Sequence, residues 1–330
     1  MATGKASDFT LYDEQYYGGM VEVVTQAVNV FGAQSRGAIQ IVPERKKGQY
    51  EKETFLKEVS SLISRRDITS VDAATDLKMQ TGEFVRVKVD RKVGPVGQTL
   101  DAWRKLGKDE KEFSLKLGYQ VGKAKLKDYV NTSLTALDAA LSGQANLCYD
   151  ASSNTENTQL IHKHMIHGLQ LFGDAADDIV CWVMHSSPYF DLLANSLDSG
   201  SLVESIAGLV VRKATVGTLN RPVVLTDSSG LYSGTGSSQT FSILGLTANA
   251  LSIVESEEEL IAFELVTGLE NLVYRLQGEY AFNLGIRGFQ WDVSNGGATP
   301  TDATLGTSSN WDKVASDDKN LAGVRITVTT

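Results

Sequence analysis

Between Asp109 and Leu141 the chain contains no proline, and apolar residues recur at Phe113, Leu117, Val121, Ala124, Val130, Leu134, Leu137 and Leu141. That spacing keeps one face of a helix apolar throughout, and at 1.5 Å rise per residue it predicts a rod about 50 Å long. Asp109, Glu110 and Glu112 fall in the first turn, where acids favour the positive end of the dipole. Ser142-Gly143 supplies the stop. Gly118 and Gly122 lie inside, where they either kink the helix or let another backbone approach. A helix this long with a single stripe must have something packed along one side.

The flanking sequence has a different texture. Met20 to Phe31 keeps helical spacing at 20, 23/24, 27/28 and 31 and is expected to end at Gly32 and Gly37. Such a helix must bury its stripe on its own body or on a neighbour. Residues 38 to about 103 are charged and read as extended strands. A helical piece is expected at Glu53–Arg65, where Phe55, Val59, Leu62 and Ile63 share a face. Glu83 to Asp90 alternates apolar and polar as a half-buried strand does, and Gly94-Pro95-Val96-Gly97 is expected to break it. This long, core-poor region suits a protruding hairpin.

After the rod the pattern becomes α/β. Helices are expected at Thr158–Phe172 and after Ser187-Pro188, with the proline in a first turn. Strands are expected at Ile179–Met184, Leu209–Ala214, Pro222–Leu225, Thr240–Leu244, Leu260–Thr267, Asn271–Phe282 continuing to Ile286–Trp291, and Val324–Val328. The stretch from Asp227-Ser228-Ser229-Gly230 to Ser237-Ser238 reads as an exposed tip, and Asn295–Asn310 as a loop. No fixed-period repeat is present.

Charge divides the chain more sharply than its net −9 suggests. Arg36 to Lys127 carries 21 Lys+Arg against 13 Asp+Glu, net +8; the remainder carries 10 against 27, net −17. One reading is that the basic quarter of one copy lies on the acidic body of another, since complementary fields orient such contacts. The other is an ordinary patchy surface. A nucleic-acid reader needs a basic face on the whole domain, which this composition excludes. No apolar run approaches the ~20 residues of a membrane helix, and Met1-Ala2-Thr3-Gly4-Lys5 does not open a secretory signal. Cys148 and Cys181 alone form no disulfide framework and fit a reducing cytoplasm.

Sequence motifs that carry chemistry are nearly absent. There is no phosphate loop, GxGxxG, GxSxG or HExxH. His162, His164 and His167 cluster, with His185 further on, but His162 and His164 sit about 200° apart on a helix, so all three cannot converge on one metal without unwinding it. Glu255-Ser256-Glu257-Glu258-Glu259 lacks the glycine turn of a calcium loop; a solvated turn or a contact for a basic partner is the expectation. Trp103, Trp182, Trp291 and Trp311 are dispersed, without basic–aromatic alternation. No catalytic, cofactor-binding or metal residue is assigned, and no cofactor is expected.

The order of elements, namely arm, charged hairpin, long helix and then α/β with returning strands, resembles the major capsid protein of tailed bacteriophages, a fold shared with encapsulins and the herpesvirus capsid floor. Local strings resemble it too: Lys123 to Val130 through Ala139-Ala140-Leu141, Trp182 to Ser186 followed by Tyr189 to Leu193, Arg221 to Asp227, Glu279 to Asp292, and Asn310 to Ala315. They cover most of the chain after residue 108, and none is a chemical motif. The resemblance implies an α+β capsid fold with an N-terminal arm (1–40), an extended β-hairpin loop (41–103), a peripheral domain with the long spine helix (104–146 and 252–304), and an α/β axial domain (147–251), joined by 305–330. It implies a structural, non-enzymatic virion protein that assembles as pentamers and hexamers into an icosahedral shell around double-stranded DNA. A portal and a decoration protein are further partners, and assembly would take place in the host cytoplasm. The strand region begins by about residue 40, so the scaffolding domain of some relatives is expected to be absent and a separate scaffold protein to serve. Subunit contacts are expected at Arg45, Lys46, Lys47, Arg65, Arg66, Arg86, Lys88, Arg91 and Lys92, against Glu255, Glu257, Glu258 and Glu259. The alternatives are an encapsulin-type compartment shell and a small metal-dependent hydrolase built on His162, His164 and His167.

Overall fold

The predicted rod is one continuous helix, α1 (Glu110–Ser142), in a computed structural model of the chain. The structure describes residues 32–43, 50–56, 81–99, 110–154, 157–198, 221–236, 239–268 and 270–329, with isolated residues at 16, 20, 21, 48, 63, 65, 68, 69, 76–79, 101 and 105. In chain order the strands are β1 (Ile39–Pro43), β2 (Tyr50–Leu56), β3 (Thr81–Thr99), β4 (Cys148–Asp150), β5 (Ile179–Met184), β6 (Val223–Leu225), β7 (Tyr232–Ser233), β8 (Thr240–Thr247), β9 (Leu251–Val266), β10 (Val273–Ile286), β11 (Phe289–Trp291), β12 (Trp311–Lys313) and β13 (Gly323–Thr329). Further helices whose limits lie within the described residues are α2 (His162–Gln170), α3 (Ser186–Asp198), α4 (Val293–Gly296) and α5 (Asp302–Leu305). Among the described residues no helix is long and apolar enough to cross a membrane.

Two sheets flank the rod. In the first, β10 is central: it pairs antiparallel with β9 on one side and with β3 on the other, and β1 adds parallel to the start of β9. β2 pairs with the first part of β3, and β11 and β12 continue past the end of β10. The long middle of this sheet, β3–β10–β9, forms a blade. The second sheet runs β4–β13–β8–β5–β6, with β7 on β8. A single apolar core joins the C-terminal half of α1, through Leu134, Leu137 and Leu141, to both sheets. Close packing there is specific: a Cβ on Gly245 would lie 2.7 Å from the Trp182 ring.

The N-terminal arm meets its own body. Tyr16 and Met20, both helical, form a small core with Leu117 of α1 and Leu276 of β10. The interior glycines of α1 serve approach rather than bending. A Cβ on Gly118 would fall 2.3 Å from the Tyr16 carbonyl oxygen, and one on Gly122 would lie 3.3 Å from that of Met20.

Several expectations need correction. Residues 53–56 are not helical; they complete β2, with Phe55 opposite Gly82, and Ile63 and Arg65 are not helical either. Ladder pairing with β3 overrides the helical spacing there, a tertiary effect that propensity cannot anticipate. The Gly94-Pro95 stretch does not break β3, which pairs with β10 as far as Thr99 and absorbs the interruption as a register shift opposite Leu276–Gly278. Proline is tolerated there because this part of β3 is ladder-paired on one side only, among the described residues. The stretch after Asp227 is not simply an exposed tip. Ser228 and Leu231 are buried, and Gly230 abuts α1 so closely that a Cβ would meet the Thr135 Oγ1 at 2.3 Å. Asn295–Asn310 contains the end of α4 and all of α5, which are capped by the Asp292 and Thr301 side chains. The helix read as Thr158–Phe172 is the shorter α2, and the strand read from Leu260 begins at Leu251. Gly32 is itself helical, and the turn comes at Gly37, whose φ of 77° suits glycine. The strand expected at 209–214 lies outside the described residues.

Candidate subunit-contact site

The inward face of the blade is fastened to α1 by ionic and aromatic contacts. Arg91 on β3 donates to Asp128 of α1 at 3.0 Å, to the Thr132 hydroxyl at 2.8 Å and to Asp302 of α5. Tyr280 on β10 donates to the same Asp128 at 2.8 Å. Burial alone would lower the Arg91 pKa, but hydrogen bonds and charge from Asp302 and Asp128 outweigh it and hold the guanidinium above its ordinary value. One turn earlier on α1, Lys125 lies 3.1 Å from Glu255 of β9, and Tyr129 donates to that carboxylate at 2.9 Å. Tyr129 also packs edge-on against Phe282, with centroids 4.7 Å apart. On the opposite face of the blade Lys88, largely buried, pairs with Glu257.

These bonds show where the charge split goes within one chain. Of the residues expected at subunit contacts, Lys88, Arg91, Glu255 and Glu257 are engaged inside the chain. Arg86 reaches Glu51 at 3.4 Å and Glu53 at 3.5 Å across the β2–β3 pair, and its buried Nε has no hydrogen-bond partner among the described residues. Lys92 and Arg65 are exposed. Glu258 and Glu259 lie on β9, with side chains outside the description, and Arg45, Lys46, Lys47 and Arg66 lie outside the described residues. Sequence reasoning missed Asp128, Tyr280 and Asp302. It also missed the pair that ties α1 to the second sheet: Arg325 of β13 meets Asp138 at 2.7 Å and 3.4 Å and donates to the Ser242 hydroxyl at 3.0 Å. An Asp on the inner side of a predicted helix was the available signal.

The histidines do not converge. His164 is 1% exposed, its Nδ1 without a hydrogen-bond partner among the described residues and its ring 5.8 Å from that of Tyr149. Burial, with some help from His167, depresses its pKa. The His167 ring is tilted against that of Tyr149, with centroids 5.0 Å apart, and burial lowers the pKa of His162. His185 sits far along the chain against Phe241 and 3.6 Å from Asp227. Among the described residues no three His, Cys, Asp or Glu side chains are grouped to hold a metal. Both cysteines are free thiols, and burial pushes that of Cys181 up to about 12.

Residues 8–325 match the family model described as Gp13-like, major capsid protein 13-like. The chain belongs to that major capsid protein family. It is therefore a structural subunit of a virion capsid, built from copies of itself, and not an enzyme. No curated protein sequence matches it. Solved structures similar to this capsid protein include the cyanophage Pam1 capsid asymmetric unit (TM-score 0.54, 9% identity, 88% of each chain covered). The capsid of Ralstonia phage GP4 is similar at TM-score 0.53 and 11% identity, with 90% of this chain and 88% of that one covered. That of Helicobacter pylori bacteriophage KHP30 is similar at TM-score 0.53 and 9% identity, with 89% and 88% covered. At such identities the likeness is one of fold, and it places the two sheets and the spine helix of the capsid protein in the phage capsid architecture.

Proposed function

We propose that copies of this capsid protein, arranged as pentamers and hexamers, close an icosahedral shell around packaged double-stranded DNA. The supporting observation is the family match, which runs from the N-terminal arm to the last strand. Residues 1–40 act as the arm, 41–103 as the extended loop, 104–146 with 252–304 as the peripheral domain, and 147–251 as the axial domain, joined by 305–330. Assembly takes place in the host cytoplasm on a separate scaffold protein, with a portal at one vertex and a decoration protein outside. The DNA is held without sequence-specific contacts, since a net −9 subunit repels it.

Contact between copies uses the basic residues Arg45, Lys46, Lys47, Arg65, Arg66 and Lys92 against Glu258 and Glu259. Arg86, Lys88, Arg91, Glu255 and Glu257 serve the same contacts by holding the strands that carry them. Electron microscopy and mass measurement of purified particles test the whole reading. Shells of many copies with one portal-bearing vertex are expected; a chain that stays monomeric at high concentration, or shells with no portal vertex, would overturn it.

A further inference from the structure

The outer face of the blade, turned away from α1, carries a buried polar group that packing alone does not explain. Lys88 lies between Val87 and Val89, which face the core, so its own side chain points outward, yet it is only 6% exposed. Asn283 stands directly opposite it in the β3–β10 ladder and is 2% exposed. Directly opposite residues of an antiparallel pair share a face, with Cβ atoms about 5 Å apart. The Asn283 Oδ1 is buried without a hydrogen-bond partner among the described residues, a state that native interiors rarely keep.

Glu257 completes the group through an irregularity in β9. Glu255 and Glu257 are two residues apart and would share a face in a regular strand. Ser256 is an extra residue between the pairs Phe282–Glu255 and Ala281–Glu257, and such a bulge re-aims the side chain beside it. Glu255 therefore faces Lys125 and Tyr129 of α1, while Glu257 faces Lys88. Because β10 lies between β3 and β9, Lys88 meets Glu257 only by crossing the outer surface of β10. The crossing runs between Asn283, opposite Lys88, and Ala281, opposite Glu257, where the alanine methyl leaves room for it. The Lys88 amine is thus brought over β10 beside the Asn283 amide, with a carboxylate already paired to it.

We propose that Lys88 and Asn283 join in an isopeptide bond within the chain, with Glu257 as the proton carrier. Glu257 takes a proton from the Lys88 ammonium, and the freed Nζ attacks the Asn283 Cγ. The Nζ–Cγ bond forms and the Cγ–Nδ2 bond breaks. Two protons leave Nζ in all: one goes to Nδ2 and one, by way of Glu257, to the departing ammonia, which leaves as ammonium. No oxidant or cofactor enters. Amides resist amines in free solution, and holding the two groups together in a buried place supplies the proximity that the step needs. Glu257, itself exposed, gives the leaving group a way out. The bond ties β3 covalently to the central strand of the blade, and it requires only the folded chain, whether or not the shell reading holds.

Mass spectrometry of the full chain, purified folded and then denatured, tests this. The intact chain is expected to be lighter than its sequence by one ammonia and to migrate as a single chain. Trypsin should leave residues 87–91 attached to residues 276–287, since Lys88 is no longer cleavable and Arg86, Arg91, Arg275 and Arg287 bound the two pieces. Glu257→Gln, a change at an exposed position, should keep the fold by circular dichroism and lose the bond, as should Lys88→Arg. A chain of full sequence mass, ammonia lost without the branched peptide, or the same two residues joined between copies would each overturn the proposal. An undiminished bond in Glu257→Gln would do so as well.

Discussion

Gly118→Ala is the smallest change that should release the N-terminal arm from the capsid protein. In isolation the substitution favours the helix, since alanine exceeds glycine by about 1 kcal/mol in a helix interior. Here the new methyl would stand 2.3 Å from the Tyr16 carbonyl oxygen and 3.1 Å from its Cα, both backbone atoms that no side-chain rotation can move aside. The arm backbone at Tyr16 must lift. Lifting it exposes Tyr16, now fully buried, and Met20. An aromatic side chain buries about 150–250 Å², so at about 25 cal/mol per Å² Tyr16 alone carries roughly 4–6 kcal/mol as an upper bound. If the entropy of ordering the arm offsets half of that, about 2–3 kcal/mol remains, roughly 30- to 150-fold in the docked fraction. Limited proteolysis reads this directly: cleavage before residue 32 should accelerate by about that factor, while unfolding of the rest stays unchanged or shifts slightly upward. Gly122→Ala, whose methyl would meet Met20 at 3.3 Å, is the matched control and should leave the arm protected. Equal arm protection in Gly118→Ala and wild type would refute the reasoning.

Other perturbations discriminate between the contacts of the blade. Arg91→Met strands Asp128 under the sheet and should cost about 2–3 kcal/mol in denaturant unfolding, whereas Asp302→Asn, which removes an exposed partner, should cost under about 1 kcal/mol. His164 should make stability fall in mild acid. Its folded pKa lies below the ordinary 6.5, so the unfolded state takes up a proton first; full stability holds above 6.5 and is lost as pH falls from there toward the depressed folded value. A thermal-unfolding series across that window should show a smaller loss in His164→Phe, and equal slopes would contradict the assignment. Cys181, buried and shifted to about 12, should stay unlabelled by thiol reagents at neutral pH until the protein is unfolded.

How much of this was legible depended on whether the signal was local. The rod was read to within one residue at each end, because thirty-three residues of unbroken periodicity outweigh any single exception. The short β5, β6 and β13 were also legible, as apolar runs bounded by turns. β2 was not, since Phe55 has helical neighbours at Val59 and Leu62 and only its ladder with Gly82 shows that it is extended. The Gly94-Pro95 interruption misled for the same reason: proline forbids a central strand but not a one-sided one, and sidedness is tertiary. At the contact site the charge split was visible while its resolution was not. Nothing in the spacing of Arg91, Asp128 and Asp302 tells that they meet.

That resolution changes what the split means for assembly. Complementary charge was expected to act between copies, yet Lys88, Arg91, Lys125 and Arg86 find their carboxylates at home. Pairs of this kind are half-buried, so they fix the orientation of the blade on the spine helix more than they add to stability. A blade held rigidly presents its tip at a defined angle, and a repeated shell needs each copy to offer its neighbour the same geometry. On the proposed shell reading the internal bonds are a precondition for contacts between copies. Breaking Arg91 should accordingly disturb particle size or closure at protein concentrations where the folded monomer is still abundant. Normal shells from Arg91→Met, at stability reduced as above, would mean that the blade angle is set elsewhere.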